Sequence, residues 1–67
     1  MLITIQFSTS NAAFRDEDGD IEPDTVAEVI NAAQRELARR LSVGGVFSSP
    51  IFDTDGNPVG TVRVDHE

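Results

Sequence analysis

The first residues of the chain alternate between apolar and polar positions. Ile3, Ile5 and Phe7 share one face of an extended segment, and Leu2, Thr4, Gln6 and Ser8 share the other. A period of two with β-branched residues predicts a β-strand over residues 2–8 with one buried face. We expect the face that carries the two isoleucines and the phenylalanine to be the buried one.

An apolar stripe with helical spacing occupies the middle of the chain. Thr25 and Glu28 have the spacing of a capping box, so we expect a helix to begin at Thr25. Gly44-Gly45 supplies residues that can adopt positive φ and end it. The stripe that should pack on a sheet consists of Val26, Val29, Ile30, Ala33, Leu37 and Leu41.

The pattern of the C-terminal part predicts a β-hairpin. Residues 51–53 and 59–64 are β-prone and flank Asp55-Gly56, a strong hairpin signal. Asp53 and Asn57 are expected to serve the turn through bonds to nearby backbone. Pro50 should interrupt any earlier strand, because proline has no N–H to donate. Gly60 should leave room for the helix or Phe14 to approach the sheet.

Together these elements predict an α+β fold of the βαββ type, with one helix packed on a small, mostly antiparallel, three-stranded sheet. The last strand could lie between the other two or at an edge. The 67 residues form a single domain, 1–67. A chain of this length buries only about 60% of its unfolded surface, so a homo-oligomer or a partner could add burial.

The net charge of the chain limits the classes of macromolecule that it can bind. The chain has 12 acidic and five basic residues and a formal charge of −7. Direct binding to nucleic acid is disfavoured because phosphates would be repelled, whereas a protein with a basic surface fits. Solubility alone is the alternative explanation of this charge. No apolar run is long enough for a membrane span and no signal peptide is evident, so we expect a cytoplasmic protein.

The sequence predicts no catalytic residues, no cofactor and no metal site. It contains no cysteine and a single histidine, His66, next to the last residue. No nucleophile–base pair or phosphate-binding glycine loop is evident, so we expect no enzyme. Residues 16–20 resemble the start of an EF-hand loop, but Ile21 replaces its glycine and Ala27 its last glutamate. Calcium binding is therefore the weakest alternative function.

The most acidic segment is the main candidate for interaction. Six of residues 16–24 are acidic, and such a run should form a mobile, solvated loop. Phe14 precedes it and could cover the core or serve as an exposed binding anchor. The candidate interaction residues are Phe14, Asp16, Glu17, Asp18, Asp20 and Glu22. A helical cluster of Arg35, Arg39 and Arg40 would complement the helix dipole, or dock a carboxylate or phosphate.

Two motifs resemble a widespread group of small phage-encoded proteins of unknown function. They are Asn11-Ala12-Ala13-Phe14 after the first strand and Asp53-x-Asp55-Gly56-Asn57-x-Val59-Gly60 near the end. In that group the chain closes with an Asp-x-Asn-Gly-Asn-x-Val-Gly hairpin. This sequence departs from the group by Asp55, where asparagine is expected, and by the acidic insertion at 16–22.

The resemblance implies a phage or prophage setting, hence the cytoplasm of a bacterial host, and no particular reaction. Acidic phage proteins of this size are often inhibitors of host defence or host enzymes, an analogy of size and charge alone. The sequence therefore predicts a non-enzymatic accessory protein that binds a basic protein partner, a candidate inhibitor of a host defence or nucleic-acid-handling protein. A self-assembling structural phage module is the alternative.

Overall fold

A computed structural model describes residues 1–66 and contains one α-helix packed on a three-stranded antiparallel sheet. The elements are β1 (Leu2–Phe7), a 3-10 turn (Ala12–Phe14), α1 (Pro23–Leu41), β2 (Phe47–Phe52) and β3 (Pro58–Asp65). The strand order is β1-β3-β2, and β3 is antiparallel to both neighbours. The predicted α+β, βαββ fold is confirmed, with the last strand in the centre.

The core lies between α1 and the part of the sheet formed by β2 and β3. Its buried side chains are Phe14, Val29, Ala33, Ile51, Val62 and Val64. The ring of Phe7 stacks on that of Phe14 at 6.0 Å between centroids. This aromatic pair closes one end of the core. The molecule is elongated, 42 Å by 18 Å by 17 Å.

The face of β1 that was predicted to be buried is largely open. Ile3 and Ile5 pair with Val64 and Val62 and so lie on the helix side of the sheet, yet they are 42% and 40% exposed. The helix lies towards β2 instead, where Ser49 Oγ donates to the Glu36 carboxylate at 3.1 Å. The prediction was wrong because a period of two tells which side a residue faces, not whether another element covers it.

The helix begins two residues before the predicted start. Pro23 is its first residue and Glu22 its N-cap, and no side chain caps it. The predicted capping box at Thr25 and Glu28 is therefore wrong. Val26 N–H donates to the Glu22 carbonyl at 3.2 Å, and proline fits the first helical position because its missing N–H would have no helical partner there.

Pro50 does not interrupt β2, contrary to prediction. It lies inside the strand, opposite Thr61 of β3. Because β2 is at the edge of the sheet, an N–H at this position is dispensable. The register shifts between Ile51 and Phe52, where β2 approaches the hairpin turn.

Gly60 makes room for a neighbouring strand rather than for the helix or Phe14. A Cβ at this position would overlap the Gln6 carbonyl oxygen and lie 2.5 Å from the Cα and Cβ of Phe7. Gly60 pairs with Phe7 across the β1–β3 ladder. Its missing side chain therefore lets β1 approach β3 closely where Phe7 enters the core.

Candidate functional site

Residues 16–20, here called the acidic turn, form a tight hydrogen-bonded turn. The Asp16 N–H donates to the Asp20 carbonyl at 2.8 Å, and the Gly19 N–H donates to the Asp16 carbonyl at 3.0 Å. One oxygen of the Asp16 side chain accepts from the N–H groups of Asp18 and Asp20 at 2.9 and 3.0 Å. The expected solvated loop is confirmed in that Glu17, Asp18 and Asp20 are exposed, whereas its expected mobility stays a prediction.

The base of the acidic turn is joined to the core and the helix. Arg15 and Ile21 form an isolated antiparallel bridge, and the Glu22 N–H donates to the Phe14 carbonyl at 2.8 Å. Glu22 then occupies the N-cap position of α1, and Asp24 lies in the first turn of the helix. Negative charge is favourable at this end of a helix because of the helix dipole.

Phe14 is not an exposed binding anchor. Its side chain has 0% exposure and belongs to the core cluster with Val29 and Val62. Of the two roles considered for it, covering the core is confirmed. The interaction role for Phe14 is wrong because its ring already fills the space between Phe7 and the helix.

Residues 53–57, here called the hairpin turn, repeat the geometry of the acidic turn. The Asp53 N–H donates to the Asn57 carbonyl at 2.9 Å, and the Gly56 N–H donates to the Asp53 carbonyl at 3.1 Å. One Asp53 side-chain oxygen accepts from the N–H groups of Asp55 and Asn57, both at 2.9 Å. The prediction that Asp53 serves the turn is confirmed.

The second oxygen of Asp53 makes a contact that the sequence did not predict. It accepts from Asn11 Nδ2 at 2.8 Å and from Asn57 Nδ2 at 3.4 Å, and Asp53 is 6% exposed. The Asn11 bond, followed by the backbone N–H of Asn57, lowers the pKa of Asp53 below its usual 3.8. Asn11 and Asp53 belong to the two motifs on which the phage resemblance rests, so these motifs meet in one structural contact.

The two turns place most of the negative charge at one end of the molecule. The acidic turn ends two residues before Glu22, the N-cap of α1. The groove between the first half of α1 and the hairpin turn is lined by Glu28 and Asp53, so both turns and this half of the helix share one end. Nine of the 12 acidic residues lie here, and we call this region the acidic end: Asp16, Glu17, Asp18, Asp20, Glu22, Asp24, Glu28, Asp53 and Asp55.

The opposite end carries three arginines, and we call it the arginine end: Arg39, Arg40 and Arg63. Arg39 and Arg40 both pair with Glu36, at 2.8 and 3.0 Å. The two guanidinium groups, Arg39 first, lower the pKa of Glu36 to about 2. Arg63 pairs with Asp65 at 2.9 Å.

A groove of about 280 Å³ runs along the helix at the acidic end. Its walls include Glu28, Asn31 and Arg35 from α1 and the half-exposed Phe52 from β2. Arg35 forms no ion pair with any residue in the range 1–66. The sequence does not indicate the groove because its walls come from segments distant in the chain, although the spacing of Glu28, Asn31 and Arg35 places them on one flank of the helix.

Comparison with known proteins finds no matching family model, no similar curated protein and no similar solved structure. The resemblance to phage proteins therefore stays a prediction. Within residues 1–66 no group of three or more His, Asp or Glu side chains is arranged to hold a metal ion. No helix in the same range has the length and apolar character to cross a membrane.

Proposed function

We propose that this protein is a non-enzymatic phage or prophage accessory protein that binds a basic protein partner through its acidic end. The observation that supports the proposal is the concentration of nine carboxylates at one end of an elongated molecule. A field of one sign attracts a surface of the opposite sign and speeds encounter. A host protein whose basic surface normally holds nucleic acid is the kind of partner that this charge fits.

The acidic turn supports the proposal because hydrogen bonds fix its backbone, while most of its carboxylates are available to a partner. Asp16 uses its side chain to form the turn. No residue in the described part of the chain donates to the carboxylates of Glu17, Asp18 or Asp20. A turn that is already formed loses less conformational entropy on binding than a disordered acidic segment would.

The proposal is tested by removing charge without removing the turn. A variant with Asp16→Asn, Glu17→Gln, Asp18→Asn and Asp20→Asn keeps a side-chain oxygen at position 16 and changes the formal charge from −7 to −3. Wild type and variant are used as bait in bacterial lysate, and the proteins retained are quantified by mass spectrometry. Affinity and association rate are then measured for the purified partner at low and high salt.

A second variant serves as the matched control. It carries lysine at Ala32, Gln34, Ala38 and Val43, which are exposed and lie outside the acidic turn, and it has the same formal charge of −3. We expect the turn variant to lose about tenfold or more in association rate at low salt and the control to lose far less. Equal losses, or no loss in either, would contradict a local role for the acidic turn.

Self-assembly as a structural phage module is the second candidate function, and one observation favours it. The edge strand β1 is open and apolar, as Ile3 and Ile5 show. Sedimentation at micromolar concentrations separates the two candidates. Assemblies larger than a dimer would support the structural module, whereas a monomer or a dimer that binds a basic host protein supports the first candidate and contradicts the second.

A further inference from the structure

The two edges of the sheet differ in how they are protected against pairing with another strand. β2 carries Pro50 in its middle and a register shift next to it, two devices that block edge pairing. β1 has no charged residue, no proline and no register shift over its six residues. In a chain with a charge of −7, this neutral and regular edge stands out as the one competent to pair.

The backbone of β1 offers its free groups at alternate residues. Phe7 pairs with Gly60 of β3, so the next residue, Ser8, lies opposite Val59, and the Ser8 N–H donates to the Val59 carbonyl at 2.9 Å. In an antiparallel ladder, residues whose backbone groups bond to the neighbouring strand alternate with residues whose backbone groups point away from it. The N–H and C=O groups of Ile3, Ile5 and Phe7 therefore point away from β3 towards the open edge, and these same residues have side chains on the helix side.

The side chains beside this edge form an apolar trough. Ile3 and Ile5 are its floor, and Ile30 and Leu41 of α1 are each more than a third exposed. At about 100° per residue, Ile30 and Leu41 lie on the flank of α1 opposite Glu36, which bonds to β2. That flank points towards β1, so the trough lies between β1 and the helix.

Charge favours a second copy of the chain in antiparallel orientation. β1 runs from the arginine end, where Thr4 pairs with Arg63, to the acidic end, where Phe7 leads towards the acidic turn. Antiparallel pairing of two β1 strands places the acidic end of each copy beside the arginine end of the other. Parallel pairing would bring the two acidic ends together.

We propose that the protein forms a symmetric homodimer in which the β1 strands of two copies pair antiparallel and extend the sheet to six strands. In the proposed register Thr4 lies opposite Thr4 of the second copy, on the two-fold axis. Ile3 then faces Ile5 of the second copy twice, and the outward backbone groups match. The two helices lie on the same side of the sheet and flank the four isoleucines. The acidic ends stay exposed, so this inference does not rest on the proposed function.

The test compares molecular mass by sedimentation equilibrium from micromolar to millimolar concentration. We expect the wild-type mass to rise from 7.2 kDa to twice that value. Ile5→Lys places a charge at the shared edge and should weaken dimerisation about tenfold or more. Val46→Lys makes the same charge change at an exposed apolar residue next to β2, the opposite edge of the sheet, and should leave dimerisation unchanged. Circular dichroism shows whether each variant is folded.

A cross-link tests the register without relying on a destabilising change. The chain has no cysteine, so Thr4→Cys introduces a single thiol whose Cα should lie about 4.5 Å from its mate, within reach of a disulfide. Oxidation should give a covalent dimer with Thr4→Cys and only monomer with Ser48→Cys on β2. A wild-type monomer at all concentrations, a dimer unaffected by Ile5→Lys, or equal cross-linking at both positions would overturn the proposal.

Discussion

The acidic turn and the hairpin turn have the same backbone in different surroundings. Both follow the pattern Asp-x-Asp-Gly followed by Asp or Asn, and each makes the same four hydrogen bonds between its first, third, fourth and fifth residues. Their glycines have φ of +82° and +87°. The difference lies in the first aspartate: Asp53 is buried and bonded to Asn11, 42 residues away, whereas the contacts of Asp16 are local.

The hairpin turn therefore contributes to the tertiary fold, whereas the acidic turn is stabilised only by its own local hydrogen bonds. The hairpin turn joins β2 to β3 and, through Asn11, the segment that follows β1. The acidic turn joins the core to the helix, and within residues 1–66 no hydrogen bond or ion pair links the side chains of Glu17, Asp18 and Asp20 to another element. A local sequence code therefore fixes the turn, while tertiary contacts decide whether its charges are free for a partner.

The largest contrast should come from the same substitution in both turns. Asp53→Asn keeps an oxygen for the turn, but its amide nitrogen then meets the Nδ2 donor of Asn11, and two donors cannot pair. We expect the melting temperature to fall by roughly 10 °C. Asp16→Asn keeps every bond of its turn and should change the melting temperature by less than about 3 °C. Equal losses in thermal unfolding would refute the distinction between the turns.

The pH dependence of stability should show the same contrast on a smaller scale. The pKa of Asp53 is lowered in the folded state, so its stabilisation is fully present above its usual value of 3.8. It declines as the pH falls below 3.8 and is gone below the folded-state pKa. The free energies of unfolding of wild type and Asp53→Asn, measured in urea, should converge as the pH falls through this acid range.

The pKa of Glu36 is lowered to about 2 and also makes stability fall with falling pH. Subtracting the stability curve of Asp53→Asn from that of wild type removes this contribution, because both proteins contain Glu36. The pair of wild type and Asp16→Asn, measured over the same pH range, serves as the control for the turn bonds that the two aspartates share. A constant difference between wild type and Asp53→Asn down to the lowest pH would mean that the Asp53 charge contributes nothing.

A third, still smaller effect on stability should come from exchanging the donor, Asn11, and the acceptor, Asp53, of their hydrogen bond. Asn11→Asp alone sets two carboxylates against each other and should destabilise the fold. Asn11→Asp combined with Asp53→Asn restores one donor facing one acceptor, so the double variant should regain part of the stability lost by either single change. A double-mutant cycle in urea measures the coupling. Strict additivity would show that the 2.8 Å contact carries no energy.

The sequence predicted the elements well because the patterns that define them are local. The strand at residues 2–8, the apolar stripe of α1 and the Asp55-Gly56 turn each depend on neighbouring residues. The exposure of Ile3 and Ile5 was not predictable, since it depends on where the helix lies across the sheet. Pro50 was misplaced for a related reason: its strand tolerates proline only because it is at an edge.

The candidate site was predicted less completely than the fold. The acidic residues were identified from charge alone, and charge does not reveal that Asp16 makes a turn while Glu17 and Asp18 point outward. The Asn11–Asp53 bond and the groove beside Arg35 join segments distant in the sequence. Such contacts have no local signature, so a single sequence could not indicate them.

The smallest expected effect concerns the second residue of each turn, Glu17 in the acidic turn and Thr54 in the hairpin turn. Both side chains are exposed, and neither accepts a hydrogen bond that forms its turn. Exchanging them by Glu17→Thr and Thr54→Glu should therefore change the free energy of unfolding by less than about 0.5 kcal/mol in each case. Because Glu17→Thr also removes one charge from the acidic turn, it should slow association with a basic partner slightly while the stability stays constant. A shift of the urea midpoint at either position would instead show that the second residue shapes the turn, and that its charge cannot vary independently of the fold.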